Sequence, residues 1–191
     1  MKQIAGNAIF FIAATVFLFE SLNCNQAISE IRMKNVGPLT LAGIEYRMDY
    51  KRVTFKIDSL KNILDSLKIN TKTAFGVFRD SIDANTEKGR CMLGFVLEST
   101  DFSKINQIRK KGFFVQEMGC TNSLYMESTT TGFTSFKSVG KKVQEKLKSY
   151  AVKNKFEIQP ILCIFSDDNL QFSMEIMNLG SYKIESPEIK K

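Results

Sequence analysis

The sequence predicts an α+β fold of antiparallel sheets with helices on one side. Three observations carry that reading. Residues 39–98 run strand, helix, strand, strand, and residues 122–176 repeat the order with a longer helix. In each case two strand-like runs follow one another directly, as antiparallel hairpins do. The composition, 43% hydrophobic and 25% charged, is that of a globular chain able to fill a core. A β-α-β-β unit stated twice sets two halves side by side, and the cleft between them is the natural place to bind something.

The elements follow in order. Gly37-Pro38 ends an irregular lead-in, and residues 39–50 (LTLAGIEYRMDY) alternate as a strand, with Gly43 expected as a bulge. Ile57, Leu60, Leu64 and Leu67 recur at helical spacing, which buries one face of a helix over 57–68. Residues 73–80 (TAFGVFRD) and 90–98 (RCMLGFVLE) read as paired strands around a polar loop at 83–89. Asp101 is the expected N-cap of a helix ending at Gly112, with Ile105 and Ile108 inward and three cations, Arg109, Lys110 and Lys111, against its C-terminal dipole. Residues 113–118 (FFVQEM) return as a strand.

The second unit opens with a strand over 122–131 (NSLYMESTTT). A helix over 134–153 sets Phe136, Gly140, Val143, Leu147 and Tyr150 on one face. Residues 156–165 and 170–176 form a hairpin around Asp167-Asp168-Asn169, where Pro160 marks an edge strand or a bulge.

The N-terminus is expected to lie outside the fold. Lys2 precedes an apolar run over 4–19 broken only by Gly6, Asn7 and Thr15, the pattern of a secretory signal peptide. The run is shorter than the roughly 18 apolar residues a spanning helix needs. Cleavage is expected near residues 21–24, with retention as a signal anchor as the alternative. The chain is thus placed in the secretory pathway: secreted or lumenal if cleaved, in the endoplasmic-reticulum membrane if retained. Losing residues 1–24 removes Lys2 and Glu20 and leaves the net charge at +7.

Part of that charge is clustered, in 109–111 and in Lys137, Lys141, Lys142, Lys146, Lys148, Lys153 and Lys155. Such a face suits an acidic membrane surface, and no nucleic-acid motif or aromatic interleaving accompanies it. The plainer reading is the solvated face of two helices.

Absences exclude as much as motifs suggest. The chain has no histidine, the commonest general base and metal ligand. Axial haem ligation would fall to Tyr, Met or Cys, and no cofactor is expected. Beyond Cys24 of the leader, Cys91, Cys120 and Cys163 form no C-x-x-C pair. Cys91 and Cys163 fall in strands read as equivalent, so a bridge between them is one state and two buried thiols the other. Neither a phosphate loop nor a nucleophile elbow occurs.

The order of elements and the segments RCMLGFVLE, INQIRKKGFFVQEM, LYMESTTTGFTSF and FEIQPILCIFSDDNLQFSMEIM resemble GyrI-like domains over residues 36–178. The strand Arg90-Cys91-x-x-Gly94 and the charged helix ending at Gly112-Phe113 resemble, more narrowly, the testis-expressed protein 264 family of reticulophagy receptors. The resemblance implies two SHS2-like halves, a monomer, and a cleft that takes an amphiphilic or cationic small molecule on aromatic rings and a carboxylate. Tyr46, Tyr125, Glu127 and Glu175 are the residues it nominates. It also implies an alternative, an endoplasmic-reticulum adaptor in autophagy that binds a protein partner. Those receptors carry a long acidic tail with an aromatic-x-x-aliphatic segment. Residues 179–191 read instead as a short polar tail, and the lookalike at 101–105 reads as a packed first helical turn.

Tyr125 and Glu127 share a strand face by the period of two. Glutamates on the wet side of half-buried strands, with tyrosines at the rim, are the plainer account of the four residues. A cleft hydrolase using Glu127 and Glu175 is the third hypothesis. No catalytic residue is nominated.

Overall fold

The computed structural model describes residues 28–80, 89–129, 136–166 and 169–177. The leader, the loop at 83–89 except Gly89, the centre of the turn at 167–168 and the tail lie outside the described residues. Eight strands form one antiparallel sheet: β1 (Arg32–Val36), β2 (Leu39–Met48), β3 (Ala74–Phe78), β4 (Gly89–Leu97), β5 (Phe114–Met118), β6 (Thr121–Ser128), β7 (Ile161–Phe165) and β8 (Leu170–Glu175). The order across the sheet is β1-β6-β8-β7-β3-β4-β2-β5. In each half the first strand pairs with the third and the third with the second. β3 and β7 join the halves, and β1 and β5 each extend the other half's first strand.

This connectivity forces the sheet to curl. β1 and β2 are six places apart in the order yet only Gly37 and Pro38 join them. In a flat sheet those strands would lie about 29 Å apart, whereas three steps of chain reach about 11 Å at most. β5 and β6 are also six places apart, joined by Gly119-Cys120. The two connections cross: a Cβ on Gly37 would stand 2.6 Å from the Gly119 carbonyl oxygen, and Gly37 has φ +99°. Only glycine combines that backbone with that clearance.

Helices α1 (Val53–Ser66) and α3 (Phe136–Lys153) cover one face of the sheet, and a short α2 (Ile105–Lys110) follows a 3₁₀ turn over Ser99–Lys104. Val53, Ile57, Leu60 and Leu64 of α1 and Phe136, Val139, Val143, Leu147 and Ala151 of α3 enter one core with that face. Phe136 meets other rings in it, 4.9 Å from Phe78 and 5.3 Å from Phe165, centroid to centroid. A second, smaller cluster fills the opposite face inside the curl: Val36, Leu41, Phe75, Tyr125 and Leu162, drawn from both halves.

Several expectations are corrected. The lead-in contains a strand, β1, whose first four residues are exposed, and it pairs with β6. Gly43 is not a bulge, because the β2–β4 register runs unbroken from Thr40 to Met48. Instead Gly43 faces Gly94, where a Cβ would sit 1.9 Å from the Ala42 carbonyl oxygen. Asp101 caps no helix: it is buried, accepts from the Asn70 N–H at 3.3 Å and lies 3.8 Å from the Lys104 ammonium. Phe102 beside it is exposed rather than packed. β7 starts only after Pro160 and is an inner strand, flanked by β3 and β8, so Pro160 marks neither an edge nor a bulge.

Cys91 and Cys163 are not equivalent. They lie on β4 and β7 with β3 between them. Two strand spacings, about 10 Å, exceed the roughly 7 Å limit for bridging Cα atoms. Both are buried free thiols, and burial pushes Cys91 up to about 12 and Cys163 well above its usual value. Cys120 is free and exposed.

Candidate functional site

Tyr125 and Glu127 do come together. Residues 123, 125 and 127 of β6 alternate toward the inside of the curl, where Tyr125 is only 2% exposed. Its hydroxyl donates to Glu127 Oε2 at 3.1 Å, and the other carboxylate oxygen pairs with the Arg32 guanidinium. Arg32 and Lys34 come from the edge strand β1. The Lys34 ammonium stands 4.3 Å from the Tyr125 ring centroid and the Arg32 guanidinium carbon 5.0 Å. Burial, then the hydrogen bond and charge of Glu127, push the Tyr125 phenol up to about 12. The tyrosine is thus a neutral donor at physiological pH, and the chain's own cations lie against its ring.

A cavity of about 230 Å³ opens beside this ring. Lys34, Val36 and Leu39 line one wall, and Tyr125, Ile164, Gln171 and Ser173 the other. Leu39 belongs to the first half and Tyr125 to the second, so the cavity lies between the halves. It sets apolar Val36, Leu39 and Ile164 and one aromatic ring beside polar Lys34, Asn35, Gln171 and Ser173, at a volume below the 300–1,000 Å³ of drug-sized sites.

The other two nominated residues lie elsewhere. Glu175 is exposed and paired opposite Ser123, whereas Glu127 is opposite Gln171. Four residues of strand separate them, about 13 Å, too far for the carboxylates to act as a pair. Tyr46 packs against the main core on the helix side, and its pKa is raised by burial first and by Cys91 second. Its ring faces the Lys56 ammonium at 5.2 Å.

Around Tyr46 lie two further cavities, of about 420 and 470 Å³, which share Tyr46 and Arg47. Arg79 and Arg90 line the first, Arg52 and Lys56 the second. Of these cations Arg90 is bound to Asp80, at 2.9 Å, and Arg79 lies 3.5 Å from Glu45. The Arg90 hydrogen bonds hold the Asp80 carboxyl below its usual range. Arg47, Arg52 and Lys56 have no carboxylate within ion-pair distance among the described residues.

On α3, Lys142 and Lys146 are exposed and Lys141 is half-buried. The Lys137 side chain lies outside the description. Among the described residues no three acidic or cysteine side chains cluster as metal ligands, and no helix is long and apolar enough to cross a membrane.

Sequence reasoning missed Arg32, Lys34, Arg47, Arg52 and Lys56. The alternation Arg32-x-Lys34 was the available signal for two cations on one strand face.

No family model and no curated protein matches the chain. An integron cassette protein from the mobile metagenome of Vibrio cholerae is similar in structure, with a TM-score of 0.41 and 10% identity. The match covers 81% of this chain and all of that one.

Proposed function

We propose that this chain is a non-catalytic binding domain of the GyrI-like type, with its two β-α-β-β halves arising by duplication. In this reading residues 1–24 deliver it to the secretory pathway, and it takes a small amphiphile in the cavity between the halves. One observation carries the proposal: inside the curl, apart from the main core, an apolar floor meets a tyrosine ring whose hydroxyl is tied to a carboxylate. A ligand's apolar part would lie on Val36, Leu39 and Ile164, and its cationic end would take the place that Lys34 holds over Tyr125. A cation over a tyrosine ring contributes about 0.5–1 kcal/mol when exposed and more when dry. Lys34 is tethered on an edge strand, so it is a modest competitor. The 13 Å gap between Glu127 and Glu175 favours binding over hydrolysis.

A thermal-shift series with lipophilic amines tests this. Stabilisation of the wild type, strengthened by Lys34→Ala and weakened by Glu127→Gln, is expected. If neither the wild type nor Lys34→Ala is stabilised by any amine, the reading falls.

A further inference from the structure

The two halves differ in how far their first strands are covered on the outer side. β1 pairs with β6 over residues 121–125, and the chain just before β1 continues that cover. Ile28 bridges Ser128, the Ser29 N–H donates to the Glu127 carbonyl at 2.8 Å, and the Glu127 N–H donates to Ser29 Oγ at 2.8 Å. β5 pairs with β2 only over residues 39–43. The chain before β5 is the turn at Lys111-Gly112 after α2, not an extended segment. Residues 44–48 of β2 therefore have β4 on one side and, among the described residues, no strand on the other.

An open edge of five residues can pair with one more extended strand, whose main chain supplies the affinity and whose alternate side chains enter pockets on either face. The cavity lined by Tyr46, Arg47, Met48, Asp49, Arg52 and Lys56 is built from this strand and the chain after it, whereas the other reaches Arg79, Arg90 and Cys91 on the paired side. Tyr46 and Arg47, which alternate to opposite faces, line both. Arg47, Arg52 and Lys56 stand around the edge with no carboxylate at ion-pair distance among the described residues, Lys56 over the Tyr46 ring. The nearby carboxylates are engaged, Glu45 by Arg79 and Asp49 by the Lys51 N–H. Arg47 stands opposite Arg90 in the β2–β4 register, where Asp80 already pairs with Arg90. A second copy paired antiparallel over the same five residues would set Arg47 opposite Glu45, so a dimer formed through this edge in place of peptide binding would overturn the inference.

We infer that residues 44–48 of β2 are a docking edge for an acidic peptide segment that adds as a strand. This is independent of the amphiphile site. Fluorescein-labelled Glu-Val-Glu-Val-Glu-Val is the probe, with Glu-Pro-Glu-Pro-Glu-Pro as a control of equal charge that cannot pair as a strand. In anisotropy titrations of the full chain at about 0.1 M salt, the valine peptide should bind at least about tenfold more tightly than the proline one. It should shift backbone amides at 44–48. Arg47→Glu and, as a second variant on a separate element, Arg52→Glu should each weaken it severalfold with thermal midpoints retained. Lys142→Glu/Lys146→Glu should leave it within about twofold, because exposed charges beyond about 10 Å are largely screened. Equal binding of the two peptides, shifts confined to α3, or no binding by the valine peptide would each overturn the inference.

Discussion

Gly43 and Tyr125 hold matching places in the two halves. Each is the last residue of its strand paired to the outer strand, opposite Phe114 and Arg32 respectively. In the second half the place carries a tyrosine against a carboxylate and two cations. In the first half it carries no side chain, and Phe75 fills the space, its Cζ 2.9 Å from where a Cβ would be. The same pairing scheme thus supports a polar-edged cavity on one side and a closed apolar contact on the other. The outer edges reverse the contrast, covered beside Tyr125 and open beside Tyr46. Topology places the strands, and single residues then decide how the matching place in each half is filled.

The largest expected break in this comparison is at the cross-strand partners. Gly94 faces Gly43 and Ser173 faces Tyr125. Gly94→Ala drives a Cβ into the Ala42 carbonyl, so it should cost about 4 kcal/mol or abolish folding. Ser173→Ala should cost well under about 1 kcal/mol. Chemical denaturation of the two variants checks it, and equal costs would mean that the halves are packed alike. Next in size, Phe75→Ala empties the space over Gly43 and should cost about 3 kcal/mol, while Tyr125→Phe keeps the ring and loses only the hydrogen bond to Glu127, about 1 kcal/mol.

How much of this was legible beforehand depends on where the determining force lies. α1 and α3 were readable because their buried residues recur within one helix, β4 because apolar residues crowd a short run, and β8 because Leu170, Phe172 and Met174 alternate with polar residues. β1 was not, since Arg-Met-Lys-Asn-Val has no apolar alternation and is a strand only through its pairing with β6. The candidate site was half legible. Tyr125 and Glu127 are two apart on one strand, so their shared face follows from local geometry. Tyr46 was grouped with them, yet with no bulge at Gly43 the alternation carries Tyr46 to the helix side. Arg32 and Lys34 could be placed on the Tyr125 ring only by a register between residues about ninety positions apart in the chain.

Smaller effects sharpen the edge comparison. Ser29→Ala removes the acceptor for the Glu127 N–H and should cost about 1 kcal/mol, seen as a lowered denaturation midpoint. The Asp80–Arg90 pair closes the base of the open-edge half. The folded-state pKa of Asp80 is depressed, so its stabilisation is present above the unfolded value near 3.9 and is lost as pH falls through the lower folded value. Because the pair is largely exposed, Asp80→Asn should cost less than about 1 kcal/mol at pH 7. That gap from the wild type should vanish at the acid end, and a gap that persists below the folded value would point to a structural role for the side chain instead.

Amide hydrogen exchange across the two outer edges tests the central contrast most directly. The Glu127 amide, bonded to Ser29 Oγ, should be protected, whereas the outward-pointing amides among residues 44–48 should exchange nearly as freely as those of an unpaired chain. Protection at 44–48 equal to that at Glu127 would contradict an open, basic edge in the first half.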